Sequence, residues 1–455
     1  MSVATSALSR FEDTIVAEAT PPGRSALALI RVSGARAHEI GRTVIVGFPD
    51  RPRAATLCEV RNAANVVLDR AVILRYDAPA SFTGEDSVEI SCHGGMAVPA
   101  SILAALIAAG ARHAEPGEFT RRAVLNGKVD LLQAEAIADL IDATSSAAQR
   151  QALSQLDGGL SRRLQLLRDE LIGLEALIAY DIDFPEEDDG PIAPKRIEDA
   201  TKALIASLDT LLNSADTGEM VREGVTVVLA GVPNAGKSSL FNALVGWQRA
   251  IVTPIAGTTR DAIEAVIEVG RWPARLVDTA GLRDSDDLVE RLGVEVGRRY
   301  LERAGVILAC GAGDDEICRA LELISPSVGA VVIPVDTKAD LDRAATTVAN
   351  AVRVSVLTGE GMQALAARLS AAIESQIGAF NEEAPILTRV RHRNRVAAAR
   401  TELGLFYDAW SNQAVPAVIA AVHLKTAGHA LEELIGRVDV DSVLDELFSR
   451  FCIGK

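Results

Sequence analysis

The residues GVPNAGKSSL, at 231–240, follow the apolar run VTVVLA and precede a segment that reads as a helix. Gly231, Gly236, Lys237 and Ser238 satisfy the spacing G-x-x-x-x-G-K-[ST]. In that pattern the glycines let backbone N–H groups turn inward on phosphates. Lys237 reaches the β and γ phosphates, and the Ser238 hydroxyl binds Mg²⁺. Three further segments follow in order. GTTRD (257–261) offers threonine hydroxyls that complete Mg²⁺ coordination when a triphosphate is present. In LVDTAGLR (276–283), Asp278 ends an apolar strand and can bind Mg²⁺ through water, while Gly281 can offer its N–H to a γ-phosphate. In TKAD (337–340), Asp340 can accept both N–H groups of the guanine edge, which adenine lacks, and Lys338 can lie along the base. Thr337 stands where such motifs carry Asn; its hydroxyl can donate, with shorter reach. SVLTGEG (355–361) occupies the place of the last base-contacting loop, with Ser355-Val356 for Ser-Ala and Leu357 for Lys. GTP is the expected nucleotide.

The position after DTAG, which in Ras-type switches orients the attacking water, is Leu282 and has no polar group. Hydrolysis therefore needs another water-positioner and another positive charge. Asn234 leaves two readings open. Its side-chain carbonyl can coordinate a monovalent cation such as K⁺ between phosphates, with carbonyls from TPIAGT (253–258) completing the shell, or it serves only the turn of the loop.

These groups need a frame. Residues 218–384 alternate strand and helix, the pattern of a doubly wound parallel sheet. Residues 1–125 read as α+β: TIVAEAT, ALALIRVS, TLCEV, VVLDRAVILRY and SVEIS are short, β-branched and partly alternating, and GMAVPASILAALIAAG reads as a helix. Residues 126–217 are helical, with LLQAEAIADLIDATSSAAQRQALSQL as one periodic run and a second helix after Gly158-Gly159. Residues 385–455 return to helix. The expected fold class is multidomain: an α+β N-terminal domain, an all-α domain made from two separate segments, and an inserted α/β P-loop domain.

Composition sets limits. A chain of 455 residues exceeds one ordinary core. A net charge of −16 argues against non-specific wrapping of nucleic acid, so any RNA contact is a local patch or is shared with a partner. RVRHRNR (389–395) is the most basic short stretch, either an RNA contact or a solvated helix start. The N-terminus has no apolar signal region, and stretches such as SILAALIAAGA are too short to span a bilayer. Five cysteines without CxxC pairs fit a reducing cytoplasm. Cys92 and His93 are adjacent on a strand and point to opposite faces, which argues against a joint metal site. The acidic loop DIDFPEEDDGP reads as solvated.

At this point the residues resemble a known family. DTIVAEATPPGRSALALIRVSG (13–34), SFTGEDSVEISCHGG (81–95), PGEFTRRAVLNGKVDLLQAEAIADLIDA (116–143), the nucleotide motifs and the terminal DELFSRFCIGK (445–455) are together similar to the tRNA-modification GTPase family MnmE, also called TrmE. The resemblance covers essentially the whole chain. It implies an N-terminal domain that dimerises and binds 5-formyl- or methylene-tetrahydrofolate. It implies a helical domain and a K⁺-dependent GTPase activated when two GTPase domains of the homodimer meet. With the flavoprotein MnmG, such proteins modify carbon 5 of the wobble uridine of certain tRNAs, as aminomethyl or carboxymethylaminomethyl groups.

The resemblance also implies residue roles. Asn234, Thr253, Ile255 and Thr258 match the K⁺ shell, and Ser238 and Thr259 match the Mg²⁺ ligands. Asn234, Ala235, Gly236, Lys237, Ser238, Ser239, Thr253, Thr258, Thr259, Asp278, Thr279, Ala280, Gly281, Thr337, Lys338 and Asp340 match the GTP-binding positions. Glu290 matches the acid that positions the attacking water through an intermediate water, and Lys237 acts with it in catalysis. Arg31, Glu89, Lys128 and Lys455 match the folate contacts; Arg and Lys suit a glutamyl carboxylate, and Glu suits pterin N–H groups. Cys452 matches a cysteine near the folate, either as a catalytic thiolate or as a small buried residue. Two competing functions are a regulatory GTPase of ribosome assembly and a folate-dependent transferase with a degenerate nucleotide domain. The N-terminal segment with CIGK argues against the first, and intact Lys237, Ser238, Thr259 and Asp278 argue against the second.

Overall fold

The structure is a computed structural model that describes residues 13–183, 194–247, 263–278, 299–324, 329–342, 344, 346–381, 384–412, 416–436 and 454. The chain divides into two compact units, Met1–Ala138 with Glu432–Lys455, and Asp139–Leu431.

The first unit is built on seven strands, β1 Ile15–Glu18, β2 Leu27–Ser33, β3 Ile45–Val46, β4 Thr56–Arg61, β5 Val67–Tyr76, β6 Ser87–His93 and β7 Arg112–His113. Their order is β3-β4-β5-β6-β2-β1-β7, antiparallel except for the β1–β7 pair. Alternation along each strand sorts the two faces. Ala28, Ile30, Val32, Ala71, Ile73, Val88 and Ile90 are buried in one core with residues of α1 (Ala37–Val44) and α2 (Ala97–Ala108). On the opposite face Ile15 and Ala17 pack with Phe119 of α3 (Glu118–Leu125). Register then runs Ala17, Arg31, Glu89 and Leu74 across that face. The helix α4 follows at Leu131–Asp142.

In the second unit, α5 (Ser146–Leu156), α6 (Gly159–Asp183), α7 (Pro194–Asn213) and α8 (Ala215–Glu223) precede a six-stranded sheet. Its strands are β8 Val225–Ala230, β9 Ile263–Val269, β10 Trp272–Asp278, β11 Val306–Gly311, β12 Val331–Asp336 and β13 Val352–Arg353. The helices α9 (Lys237–Trp247), α10 (Asp314–Leu323) and α11 (Met362–Ile377) alternate with these strands, and α12 (Val390–Ser411) and α13 (Ala417–Ile435) follow. The helix α7 starts on Pro194, whose missing N–H is harmless at a first helical position. It buries Ile197, Thr201, Leu204, Leu208 and Leu211 at three- and four-residue spacing and packs on α12.

Two expectations are corrected. The run 131–156 is two helices, because Ser145 takes an extended conformation (φ −145°, ψ 159°) and its side chain caps α5 by accepting from the Ala148 N–H at 3.2 Å. The nucleotide sheet, ordered β13-β12-β11-β8-β10-β9, is mixed, because the short turn at Gly270 joins β9 to β10 as an antiparallel hairpin. The expected class of α+β, helical and α/β P-loop parts otherwise holds. No helix among the described residues is long and apolar enough to cross a membrane.

Candidate functional site

The buried strand β8 delivers the chain to Gly231, whose φ is 154° and where a Cβ would collide with the carbonyl of Cys310 on β11. Gly236 has φ 83° and closes the loop against Thr337. Asn234 has φ 61°, a left-handed conformation that Asn tolerates better than most side chains, so it serves the turn of the loop. Lys237 is 6% exposed, and its Nζ donates to Gly231 O at 3.0 Å and Val232 O at 2.9 Å. That holds the ammonium over the mouth of the loop. Ser238 and Ser239 are exposed on the first turn of α9, where unsatisfied N–H groups and the positive helix end favour an anion. Asp278 is buried at the end of β10, directly opposite Leu229 of β8. Lys237 and Asp278 both act electrostatically on Cys310. Its thiol is pushed up to about 12, first by burial and also by Asp278, with Lys237 opposing.

The TKAD segment meets this loop. Thr337 is 3% exposed, and its Oγ1 lies 2.7 Å from Ala235 O and 3.2 Å from Gly311 O. One hydroxyl proton serves two protein carbonyls, so Thr337 ties the phosphate loop to β11. Lys338 adds a second tie, Nζ to Asn234 O at 2.8 Å. The exposed carboxylate of Asp340 accepts from Ser355 Oγ at 2.7 Å, and Ser355 Oγ in turn accepts from Thr358 N–H at 3.2 Å. The SVLTGEG loop thus orients Asp340, a role that the residue types alone did not reveal. Thr253, Ile255, Thr258, Thr259, Thr279, Ala280, Gly281, Leu282 and Glu290 lie outside the described residues, as does most of the acidic loop.

A second cluster occupies the first unit. Register places Arg31 beside Glu89, and Arg31 donates to Glu89 Oε1 through Nε at 3.0 Å and Nη2 at 2.8 Å. The guanidinium lies 5.2 Å from the ring centroid of Phe82 and 5.7 Å from that of Phe119. Tyr76 OH donates to the other oxygen, Glu89 Oε2, at 3.3 Å; burial first, then the Glu89 charge, raises the phenol's pKa. Sequence reasoning missed all three aromatics. Lys128 donates to Pro79 O at 2.9 Å, and its stem lies against Gly84. Gly454 belongs to this unit: it is buried with φ 97°, and a Cβ there would strike Glu18 O at the end of β1. Cys452 and Lys455 lie outside the described residues.

Around this face, the SFTGED and PGEFTRR segments build a scaffold. Arg122 is fully buried and joins Glu85 (3.1 Å), Glu118 (2.9 Å) and Asp13 (2.7 Å). Burial raises the Glu118 carboxyl, but Arg112, the Glu115 N–H and Arg122 outweigh it and hold the group below its ordinary value. Cys92 is buried, its thiol pushed up to about 11 mainly by burial, whereas exposed His93 pairs with Asp69 at 2.8 Å. The strand thus separates the two side chains. Among the described residues, His38, Asp77 and Asp86 bring one potential ligand atom each within 4.8 Å of one another. Arg75 already pairs with Asp77 at 2.8 Å, and Asp86 accepts from Ala78 N–H at 2.9 Å. The group closes the base of the 77–86 loop. In RVRHRNR, Arg389 and Arg393 pair with Asp139 and Asp216, and His392 is buried.

Comparisons with known proteins follow this division. A family model described as the MnmE helical domain matches residues 131–452. One described as the GTP-binding protein TrmE N-terminus matches residues 14–128. The chain is 40% identical over 448 residues to the tRNA modification GTPase MnmE of Akkermansia muciniphila, covering 98% of this chain and 99% of that protein. It is 42% identical over 456 residues to the protein of that name from Azoarcus sp., with the same coverage. The Neisseria meningitidis serogroup C protein of that name is 41% identical over 452 residues, covering 97% of this chain and 99% of that protein. Among solved structures, the G domain of the T. maritima FeoB iron transporter is 26% identical over 34% of this chain and 99% of its own, with a TM-score of 0.25.

Proposed function

The chain belongs to the MnmE family of tRNA modification GTPases, and from that premise we propose how its GTP hydrolysis serves the modification. With a flavoprotein partner, MnmG, it modifies carbon 5 of the wobble uridine of certain tRNAs, using the one-carbon unit of a reduced folate. The observation that carries this reading is the seat of Gly454, one residue before Lys455 in the sequence. Gly454 lies against Glu18 of β1, a strand of the sheet that bears Arg31 and Glu89.

The residues fit a folate. Glu89 has a carboxylate to accept pterin N–H groups, Arg31 holds that carboxylate in place, Phe82 and Phe119 border the pair with flat apolar surface, and Lys128 and Lys455 would supply charge for the glutamyl carboxylate. The bound folate would supply the one-carbon unit; this chain's part is to bind and orient it. The proposed homodimer draws support from the same face, where Leu57 (72% exposed) and Val72 sit side by side on adjacent strands and Leu27 is also exposed.

In the nucleotide site, exposed Ser238 with Thr259 would hold Mg²⁺, and buried Asp278 would accept from its water. Lys237 neutralises the β and γ oxygens. Asn234, Thr253, Ile255 and Thr258 would hold K⁺, which supplies the positive charge that no arginine finger announces. Glu290 would take the water-positioning role that Leu282 lacks, and Cys452 would serve the folate chemistry. The segments 1–125, 126–217, 218–384 and 385–455 are the proposed functional division, with dimerised nucleotide domains activating hydrolysis.

The test is reconstitution of this chain with the flavoprotein, a reduced folate, GTP and unmodified tRNA, followed by mass spectrometry of the nucleosides. A wobble uridine carrying the new group only when folate and GTP are both present is expected. Rapid GTP turnover with unmodified uridine would refute the proposal.

A further inference from the structure

The nucleotide sheet is entered through Arg222 and Glu223 at the end of α8 and left through Thr388 and Arg389 before α12. Both arginines converge on one oxygen. Arg222 Nε lies 3.0 Å and Arg389 Nη2 lies 2.6 Å from Asp139 Oδ1, in the last turn of α4. Asp139 is 13% exposed, Arg222 29% and Arg389 18%, so solvent screens the group only in part.

The chain of charges continues inward. Arg222 Nη1 donates to Glu223 Oε1 at 3.0 Å, and Arg275 Nη2 donates to Glu223 Oε2 at 3.3 Å. Arg275 is on β10, three residues before Asp278. The strand β10 is hydrogen-bonded to β8 on one side and β9 on the other, so Arg275 and Asp278 sit on one stiff element. At its other end the β9–β10 hairpin caps α5. Glu268 Oε1 accepts from Ser146 N–H at 2.9 Å, and Arg271 O accepts from Ala147 N–H at 3.0 Å. These satisfy donors that a helix start leaves open, and the Glu268 charge suits the positive helix end.

We propose that Asp139 is a positioning residue: through Arg222, Glu223 and Arg275 it couples the strand that ends at Asp278 to the helices α4 and α5, so that the nucleotide state is felt there. The coupling is physical only if both ends respond to one two-state element. The inference rests on the GTP-hydrolysing reading, and its readout contains no tRNA, so it stands or falls apart from the modification chemistry.

The test is amide hydrogen exchange of the full chain bound to GDP and to a non-hydrolysable GTP analogue. Peptides spanning 139–156 are followed in the wild type, Asp139→Asn and Glu223→Gln. Expected is an exchange rate that differs at least threefold between the two nucleotides in the wild type. In both variants the difference falls below 1.5-fold, with nucleotide affinity within twofold and GDP-state exchange unchanged. An equal rate with both nucleotides in the wild type overturns the proposal. So does a full response in either variant. Faster exchange of the variants in the GDP state also overturns it, because Asp139 would then only hold the helices together. The double variant gives a further check, since members of one relay lose the response once, not twice.

Discussion

Thr337→Val removes one hydroxyl while keeping the β-branched shape, and it isolates the tie between the phosphate loop and the TKAD segment. The hydroxyl lies 2.7 Å from Ala235 O and 3.2 Å from Gly311 O at a site only 3% exposed. One proton makes one net hydrogen bond, worth about 1 kcal/mol, with about 1 kcal/mol more if a buried acceptor is left without its donor. Gly311 O keeps the Thr337 N–H at 2.9 Å, so the loss falls on Ala235. Ala235 sits between Asn234 and Gly236, and any relaxation there displaces the N–H groups that face phosphate. If about 1 kcal/mol of the loss appears in binding, GDP and GTP affinity fall about fivefold. The remainder lowers the urea midpoint of the nucleotide unit. Fluorescent-nucleotide titration and urea unfolding read the two parts. Thr337→Ser keeps the hydroxyl and should stay within twofold of wild type. A valine variant with wild-type affinity and midpoint, or a serine variant as weak as the valine one, would refute the reasoning.

Lys237→Ala should weaken GDP binding by about 100-fold or more, because the ammonium held over the loop neutralises phosphate charge; binding within a few-fold of wild type in the same titration contradicts it. GTP hydrolysis should be several-fold faster in K⁺ than in Na⁺, and Asn234→Ala should erase the difference; equal rates in both salts for the wild type would leave Asn234 only its turn. Gly454→Val places a side chain against Glu18 O at a φ of 97° and should detach the tail, abolishing uridine modification while GTP turnover stays within twofold; a normally modifying variant would make the tail mere packing. Glu118 has its carboxyl held below its ordinary value of 4.5, so its stabilisation is complete above that pH and is lost as pH falls through the lower folded value. Acid melts followed by circular dichroism should therefore show Glu118→Gln less stable near pH 7 and less acid-sensitive below pH 4.5, and parallel curves would exclude the linkage.

The phosphate loop, Asp278 at a strand end and the α+β, helical and α/β division were legible in the chain. Each is written in local pattern: glycines where φ must be positive, an apolar run of strand length, a charge just past it. What crosses long separations was not legible. Arg31 and Glu89 stand 58 residues apart and meet only because strand register makes them neighbours. A one-residue slip would turn both to the other face. Thr337 and Ala235 are 102 residues apart, and the buried hydroxyl meets the loop because folding brings two carbonyls within its reach. The motif told which residue stood there but not what it touched. Ser145 broke an unbroken apolar period because capping is a local competition that periodicity does not see. Asp139 reads as one more acid on a helix. Only the packing of α4 against the two ends of an insertion, 83 and 250 residues away, gathers two arginines onto its single oxygen. Sequence by itself determined the chemistry that short spacing can hold; the tertiary structure decided which distant side chains share a charge, because burial and register, not adjacency, choose their partners.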